Sequence, residues 1–277
     1  MAKMGETYLL KRPGGGDLHV RRRLAEGPSV VFVHGFCGGG DLFSHLYSTT
    51  ELDGYDLITF DLLGHGRSSA SSGLVSDTDL TWFEDLSLVL DEVGGKPKVL
   101  VGWSMGTIGI AEYLTRARGG GSVSGVNLIA PAFSVGNEKA KHRSGARFSS
   151  AVSGLLSSDP ARQRVGLVEF ADEVMGDADP QACAAAIGVA ALSDLAARRR
   201  LITTSVDYDE FYQSIEEPLL VSIGNNDPVI DSESTRQLMT GTRAKLSIYE
   251  GVGHAVHFAQ SGRFVSELVG FLEDLGL

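Results

Sequence analysis

The chain has 277 residues, of which 43% are hydrophobic and 21% are charged, and this balance excludes a disordered protein. No apolar run reaches the roughly 18 residues that a membrane-spanning helix needs. The net charge of −11 disfavours nucleic acid and anionic membranes, because an acidic surface repels both. We therefore expect no nucleic-acid partner and no membrane partner.

Neither the arginine clusters nor the cysteines indicate a specialised site. The arginine triplets at 21–23 and 198–200 lack interleaved aromatic residues and are interpreted as a solvated strand end or helix face. The two cysteines, Cys37 and Cys183, are too few for a disulfide framework, and no Cys or His spacing suggests zinc. The apolar stretch at 7–10 is too short for a signal peptide. A cytoplasmic protein without a metal is expected.

Strand and helix patterns alternate through the first half of the chain. Short β-branched runs that predict buried strands occur at 30–33, 55–60, 98–101 and 126–130. Apolar residues at spacings of three and four predict a helix over 79–93, with Asp77 or Thr78 as its cap. A second helix is predicted from about Ser104 to the glycines at 119–121. Strands joined by helices pair in parallel, so the fold class is α/β with a doubly wound, mostly parallel sheet.

The pattern changes after the fourth strand. No convincing buried strand is found over 132–217, where Pro160 and Pro180 are placed like first-turn helix prolines. Strand patterns return at 218–223 and 246–249 and are followed by a closing amphipathic helix. We predict a core that is interrupted by a helical cap, and the three parts are the first core segment (1–131), the cap (132–217) and the second core segment (218–277).

The sharpest motif is Gly102-Trp103-Ser104-Met105-Gly106, which fits G-x-S-x-G between a predicted strand and a predicted helix. A sharp strand-to-helix turn strains the serine backbone and needs glycines on both sides for close approach. The turn lifts a serine above the sheet at a helix N-terminus, where developing negative charge is stabilised. Without the predicted strand before it and the predicted helix after it, the motif would be equally typical of an ordinary turn that contains glycines. With them, Ser104 is predicted to be a nucleophile.

A serine nucleophile needs a base, and His254 is the best placed of the seven histidines. It follows the last predicted strand, and the carboxyl ends of parallel strands meet at one crevice. His257, one helical turn later, is the rival candidate, although it could instead line the pocket. His34 and His65 are interpreted as braces of their loops.

The imidazole needs an orienting carboxylate, and Asp227 follows the strand at 218–223. Taken alone, Asp227 would be interpreted as an Asx turn before Pro228. Asp231 is a second candidate, but it is better placed to cap the following helix. No acid follows the strand at 126–130, which favours Asp227.

The predicted order of the catalytic residues is therefore Ser104, Asp227, His254, the order expected of α/β-hydrolases. An oxyanion hole needs two backbone N–H groups that point at the reacting carbonyl oxygen. Met105, directly after the nucleophile, offers one. The loop after the first predicted strand offers the other, and Phe36 is the candidate.

With these residues in place, the chain resembles the α/β-hydrolase superfamily over nearly its whole length. It is similar to the capped members, which include carboxylesterases, enol-lactonases and cofactor-free perhydrolases. The motifs that match in order are His34-Gly35-Phe36, Asp61-Leu62-Leu63-Gly64-His65-Gly66-Arg67-Ser68, the Ser104 turn and Gly253-His254.

The departures from the family pattern are small. Thr107 stands where many relatives have glycine and is expected to crowd the turn, and Asn225-Asn226 replace residues that are often charged. Dehalogenases and epoxide hydrolases carry aspartate at the turn, so Ser104 argues against both. No G-x-G-x-x-G or P-loop lysine is present, and no cofactor is expected.

The resemblance and the site together predict a serine hydrolase that cleaves an ester, lactone or thioester of a small, partly apolar substrate. A lyase, an acyltransferase, a C–C bond hydrolase or a slow-turnover ligand receptor with the same residues stay open as alternatives. The predicted substrate-binding residues are aromatic, one beside the nucleophile and three in the cap: Trp103, Phe133, Phe211 and Tyr212.

Overall fold

The computed structural model describes residues 5–13, 15–68, 82–117, 123–176 and 180–277. At its centre is an eight-stranded sheet in the order β1-β2-β4-β3-β5-β6-β9-β10. The strands that form it are β1 (Glu6–Lys11), β2 (Asp17–Arg23), β3 (Ser29–Val33), β4 (Asp56–Phe60), β5 (Lys98–Trp103), β6 (Val123–Ile129), β9 (Leu219–Gly224) and β10 (Lys245–Tyr249).

The six strands from β4 to β10 across this sheet pair in parallel, and β3, β4, β5 and β9 are buried at every position. Continuous burial is typical of strands that helices cover on both faces. The predicted α/β fold with a doubly wound, mostly parallel sheet is confirmed.

The antiparallel edge of the sheet is a difference from the sequence analysis. β1 pairs antiparallel with β2, and β2 pairs antiparallel with β4. These two strands were not predicted because only three residues of β2 are buried and charged residues dilute the apolar pattern of both strands. An edge hairpin of this kind needs fewer apolar residues than a central strand.

Helices of the core join the strands. Those described are α1 (Trp82–Val93), α2 (Gly106–Ala117), α9 (Ser232–Met239), α10 (Val256–Ala259) and α11 (Ser261–Asp274). The proposed caps of α1, Asp77 and Thr78, lie outside the described residues. α2 begins at Gly106 rather than at Ser104, because Ser104 has a φ of 54° and cannot belong to a right-handed helix.

The segment between β6 and β9 is mostly helical. Its helices are α3 (Glu138–Arg143), α4 (Ala146–Leu155), α5 (Pro160–Met175), α6 (Pro180–Ala191), α7 (Leu195–Thr203) and α8 (Asp209–Ser214). Pro160 and Pro180 begin α5 and α6, as predicted. Two short strands that were not expected, β7 (Ser134–Val135) and β8 (Val206–Asp207), pair antiparallel and join the two ends of this segment. We call residues 132–217 the cap, and their separation from the core stays a prediction.

The arginine triplets are less solvated than the sequence suggested. Arg23 on β2 is only 4% exposed and donates to backbone carbonyl groups of the loop that follows β3. Arg198 on α7 is 3% exposed and donates to the carbonyl groups of Ala190, in the last turn of α6, and of Ser193, which follows that helix. The interpretation of the triplets as solvated is therefore corrected for Arg23 and Arg198, whereas Arg199 is exposed as expected. A guanidinium with five donors can be buried where several carbonyl groups meet.

A helix that spans a membrane must be both long and apolar. Within the described part of the chain, no single helix meets both requirements. The pair Pro180–Ala191 and Leu195–Thr203 meets them only when joined, and the two helices are bent by 93°.

Candidate active site

Ser104 lies on the sharp turn between β5 and α2. Its φ of 54° falls in the left-handed region, which costs a non-glycine residue roughly 1–3 kcal/mol. The surrounding backbone holds this conformation: Ser104 N donates to the Ile129 carbonyl on β6 at 2.9 Å, and Thr107 N donates to the Ser104 carbonyl at 3.1 Å. The turn therefore presents Ser104 at the carboxyl edge of the sheet.

The glycines of the motif allow this turn to pack against β3. A Cβ atom at Gly106 would lie 2.2 Å from the Val33 carbonyl oxygen, so only glycine fits there without a backbone shift. A Cβ atom at Gly35 would lie 2.9 Å from Ser104 Cβ. The loop after β3 therefore lies directly against the turn that carries Ser104.

His254 and Asp227 meet where β9 and β10 end. His254 Nδ1 lies 2.8 Å from Asp227 Oδ2, and both side chains are buried. The carboxylate only accepts, so Nδ1 carries the proton and Nε2 is left as an acceptor. The other oxygen of Asp227 accepts from Val229 N at 2.7 Å and from Ile230 N at 3.0 Å. Asp227 thus makes the Asx turn considered in the sequence analysis and orients His254 as well.

A single cavity contains both Ser104 and His254 in its wall. It encloses about 380 Å³ of empty space, its mouth included. The core supplies Trp103 beside Ser104, and the loop after β3 supplies Phe36 and Cys37. The residues that line the cavity are mostly apolar: Gly35, Phe36, Cys37, Gly38, Leu42, Trp103, Ser104, Phe148, Phe170, Val174, Ala186 and His254.

Phe36 and Met105, the predicted oxyanion donors, lie on the two segments that meet at Gly35. A Cβ atom at Gly35 would be 3.4 Å from Met105 N. Within the described part of the chain, neither the Phe36 N–H nor the Met105 N–H donates to a protein group. Free backbone donors beside a serine can stabilise an oxyanion.

The loop that carries Phe36 is held by His34 and Asp61. His34 Nδ1 lies 2.8 Å from the Gly35 carbonyl, and Leu62 N donates to His34 Nε2 at 3.0 Å. Burial lowers the pKa of His34, which keeps the ring neutral with its proton on Nδ1. Asp61 accepts from Gly40 N at 2.7 Å at the other end of the loop. His34 is therefore a brace of its loop, as interpreted.

His65 packs beside His34, with ring centroids 5.2 Å apart. Burial lowers the pKa of His65 to about 3, so this ring is also neutral. Its Nδ1 lies 3.2 Å from the Leu63 carbonyl within its own turn. His65 is a structural residue of the turn at 61–68 and does not line the cavity.

The rival base His257 lies outside the cavity. Its ring is fully buried and packs 4.5 Å from Trp103 and 5.3 Å from Phe43, centroid to centroid. Burial lowers its pKa well below the usual value. Asp231, the rival acid, accepts from Glu233 N and Ser234 N and so caps α9. Neither residue reaches Ser104 through the cavity.

Cys37 has a φ of 53° and lines the cavity. Burial raises the pKa of its thiol to about 12. A thiol with so high a pKa stays protonated at neutral pH and is a poor nucleophile. The interpretation of Cys37 as a small buried residue therefore agrees with the structure.

Three of the four predicted substrate-binding residues do not line the cavity, which corrects the sequence analysis. Tyr212 on α8 is fully buried, and its hydroxyl donates to the Thr107 carbonyl at 2.5 Å. Its ring packs against Phe133 at 5.2 Å and Phe211 at 5.1 Å. The aromatic face of α8 therefore packs on α2 rather than on the cavity. Trp103 does line the cavity, and its Nε1 donates to the His254 carbonyl at 3.1 Å.

The cap wall of the cavity comes instead from α4, α5 and α6. Phe148 on α4 and Phe170 on α5 pack together at 5.9 Å, and Phe170 meets Phe36 edge-on at 5.8 Å. Val174 and Ala186 complete this wall. The amphipathic pattern of α4 and α5 marks these residues as buried, but the sequence does not show which buried face meets the cavity.

The comparisons with known proteins agree with the fold. A sequence model described as "Alpha/beta hydrolase family" matches residues 30–267. The esterase RhEst1 from Rhodococcus sp. ECU1013 is similar over 99% of this chain and 100% of its own, with 27% identity and a TM-score of 0.84.

Two further solved structures share the fold. A bromoperoxidase from Bacillus anthracis has 21% identity and a TM-score of 0.81, and the match covers 97% of this chain and 100% of that one. The N-acyl homoserine lactonase AidH, complexed with N-butanoyl homoserine, has 19% identity and a TM-score of 0.80, with 98% and 97% covered. The family match spans most of the chain, and the chain belongs to the alpha/beta hydrolase family.

Proposed function

We propose that this protein is a serine hydrolase that cleaves an ester, lactone or thioester through an acyl-enzyme on Ser104. One observation carries the proposal: Ser104, on a strained turn, shares an apolar cavity with His254, which Asp227 holds at 2.8 Å. Nucleophile, base and orienting carboxylate are the three parts that acyl transfer to serine needs. The similarity to a Rhodococcus esterase at 27% identity supports the same reaction class.

The proposed reaction uses each of these groups in turn. His254 Nε2 takes the Ser104 proton as Oγ attacks the carbonyl carbon, and Asp227 stabilises the imidazolium. The N–H groups of Phe36 and Met105 receive the oxyanion, and such a donor is worth roughly 10²–10³-fold in kcat. His254 gives its proton to the leaving oxygen or sulfur. It then activates a water that releases the acid and restores Ser104.

The cavity supports a small, uncharged, partly apolar acyl group as the substrate. None of the described residues that line it carries a fixed charge, so a phosphate or carboxylate on the acyl chain would be desolvated without a partner. Phe148, Phe170 and Val174 offer an apolar wall to a short chain.

The test of the proposal compares Ser104→Ala with the wild type on p-nitrophenyl esters of increasing acyl length. We expect a loss of at least ~10³-fold in kcat, because only binding and the oxyanion donors are left. Labelling by a fluorophosphonate probe should disappear as well.

Ser222→Ala is the matched control. Ser222 is a buried serine on β9 that does not line the cavity, and its hydroxyl has no hydrogen-bond partner among the described residues. It should retain full turnover and labelling. Turnover by Ser104→Ala at the wild-type rate would contradict the acyl-enzyme and favour a lyase-type reaction in which His254 or Asp227 acts directly.

A further inference from the structure

Thr107, in the first turn of α2, makes a set of hydrogen bonds that the mechanism above does not use. Its side chain is fully buried, and Oγ1 lies 2.7 Å from the Ser104 carbonyl oxygen and 2.6 Å from the Ala132 carbonyl oxygen. The family resemblance led us to expect that a side chain here would crowd the turn. Instead, its hydroxyl is a donor that is shared between two carbonyl groups.

The Ser104 carbonyl is held by three donors. Besides Thr107 Oγ1, it accepts from Thr107 N at 3.1 Å and from Ala132 N at 3.3 Å. The orientation of this carbonyl is therefore determined from two sides, by α2 and by the first residues of the cap.

The same peptide group contains the Met105 N–H. A peptide unit is planar and almost always trans, so its C=O and N–H point in opposite directions. Donors that hold the Ser104 carbonyl in place therefore also set the direction of the Met105 N–H. Hydrogen bonding to a carbonyl also polarises the peptide and strengthens its N–H as a donor.

Thr107 is in addition joined to both ends of the cap. Ala132 is at its start, and Tyr212, on α8 near its end, donates its hydroxyl to the Thr107 carbonyl at 2.5 Å. Between them, β7 and β8 pair at Ser134 and Asp207. The base of the cap, formed by its first residues around Ala132 and its last helix α8, is thus hydrogen-bonded directly to Thr107.

We propose that Thr107 is a positioning residue for the oxyanion hole: its hydroxyl holds the Ser104 carbonyl, aims the Met105 N–H into the cavity and ties the nucleophile turn to the base of the cap. This inference rests on the proposed acyl transfer to Ser104. Thr107 contacts neither substrate nor the reacting atoms, and it acts through the peptide group between Ser104 and Met105.

The experiment compares Thr107→Val, which has nearly the same shape without the hydroxyl, with Thr107→Ser, which keeps the hydroxyl. We expect Thr107→Val to lower kcat about 3- to 10-fold, the range of one hydrogen bond, with KM unchanged. Thr107→Ser should restore most of kcat. Thr235→Val, at another buried helical threonine that does not line the cavity, is the control and should leave kcat unchanged.

A second measurement, inhibition by a trifluoromethyl ketone, distinguishes a misoriented Met105 N–H from a general loss of structure. A trifluoromethyl ketone adds Ser104 Oγ to its carbonyl carbon, the serine proton passes to His254, and the ketone oxygen becomes an oxyanion. Its inhibition constant should rise in Thr107→Val by the same factor as kcat falls. Thr107→Ala, which removes the hydroxyl without added bulk, should behave alike and replaces the valine variant if that one does not fold.

The results that would overturn the inference are distinct from those that would overturn the proposed function. Wild-type kcat in Thr107→Val, or a loss that Thr107→Ser does not restore, would show that Thr107 only fills space. If Ser104→Ala remains active, the proposed function itself is wrong. If Ser104→Ala is inactive and Thr107→Val is not impaired, only the positioning role fails.

Discussion

His254 and His257 are three residues apart and lie in opposite surroundings. His254 pairs with Asp227 and lines the cavity, whereas His257 is enclosed by aromatic rings. Both ring nitrogens of His257 are buried without a hydrogen-bond partner among the described residues. A buried polar group without a hydrogen-bond partner lowers the stability of the folded protein. The imidazole of His257 therefore stabilises the fold less than an aromatic hydrocarbon ring of similar size would.

Replacing each of these histidines by phenylalanine should therefore have different effects. His254→Phe should abolish fluorophosphonate labelling, because no second histidine or carboxylate is found among the described residues that line the cavity. His257→Phe should keep the labelling rate within about twofold and leave Tm equal or higher, since it removes two unpaired nitrogens. Labelling rates and thermal unfolding of both variants test this. The reverse pattern would make His257 the base.

At the scale of elements, two helices of the cap, α4 and α5, pack closely against each other at a pair of glycines. A Cβ atom at Gly166 on α5 would lie 2.6 Å from the Gly154 carbonyl carbon on α4, whereas a Cβ atom at Gly188 on α6 would meet nothing within 4 Å. The helices α4 and α5 therefore approach at backbone distance, and this approach sets the position of Phe148 and Phe170.

Two glycine-to-alanine substitutions test how closely α4 and α5 approach each other at Gly166. Gly188→Ala should raise the free energy of unfolding by roughly 0.5–1 kcal/mol, because alanine favours the helix. Gly166→Ala has the same gain in helix propensity but forces the two helices apart, so it should be destabilising by roughly 1–2 kcal/mol. Denaturant unfolding of both variants compares them directly. Equal stabilisation by the two changes would show that α4 and α5 do not touch at Gly166.

The same two helices are expected to select the acyl group. Phe148→Ala and Phe170→Ala should shift the preferred p-nitrophenyl ester to longer acyl chains, because each opens space in the cavity wall. Phe211→Ala should leave the preference unchanged, since Phe211 packs beside Tyr212 and does not line the cavity. Values of kcat/KM across the ester series test both statements. A shift with Phe211→Ala alone would place the acyl pocket under α8.

For the whole molecule, buried histidines determine how stability depends on pH. Burial lowers the pKa of His34, His65 and His257 below the usual 6.5. Each is neutral in the folded protein but takes up a proton in the unfolded chain below about pH 6.5. Their contribution to stability is therefore complete above that pH and is lost as the pH falls. Asp85 has the opposite effect on the pH dependence of stability. Burial raises its pKa to about 6, so this carboxyl takes up a proton in the folded protein at a higher pH than in the unfolded chain.

The free energy of unfolding of the wild type should therefore decrease as the pH is lowered from 7 to 5. The free energy of unfolding of His257→Phe should decrease less steeply. One proton fewer bound by the unfolded chain corresponds to about 1.4 kcal/mol per pH unit at most. Asp85 is present in both proteins, so its effect cancels in the difference. Urea unfolding at several pH values gives the two slopes. Parallel slopes would mean that His257 is protonated in the folded state.

Much of the fold could be predicted from the sequence, because it depends on local patterns. The runs of apolar residues in β3, β4, β5 and β9 mark strands that helices cover on both faces, whatever the details of those helices. The turn at Ser104 needs Gly102 for a steric reason that is local to the motif, because a Cβ atom there would lie 3.1 Å from Thr107 N. The expectation that Ser104, Asp227 and His254 lie close together follows from the rule that parallel strands end at one edge of the sheet.

The tertiary structure alone decided which side chains face the cavity. Tyr212 and Phe170 are both buried aromatic residues of cap helices, yet Tyr212 packs on α2 and Phe170 lines the cavity. The burial of Arg198, and the bond of Thr107 to the carbonyl groups of Ser104 and Ala132, are decided in the same way. Periodicity determines that a face is buried, but the partner of that face is set by contacts between segments far apart in the chain.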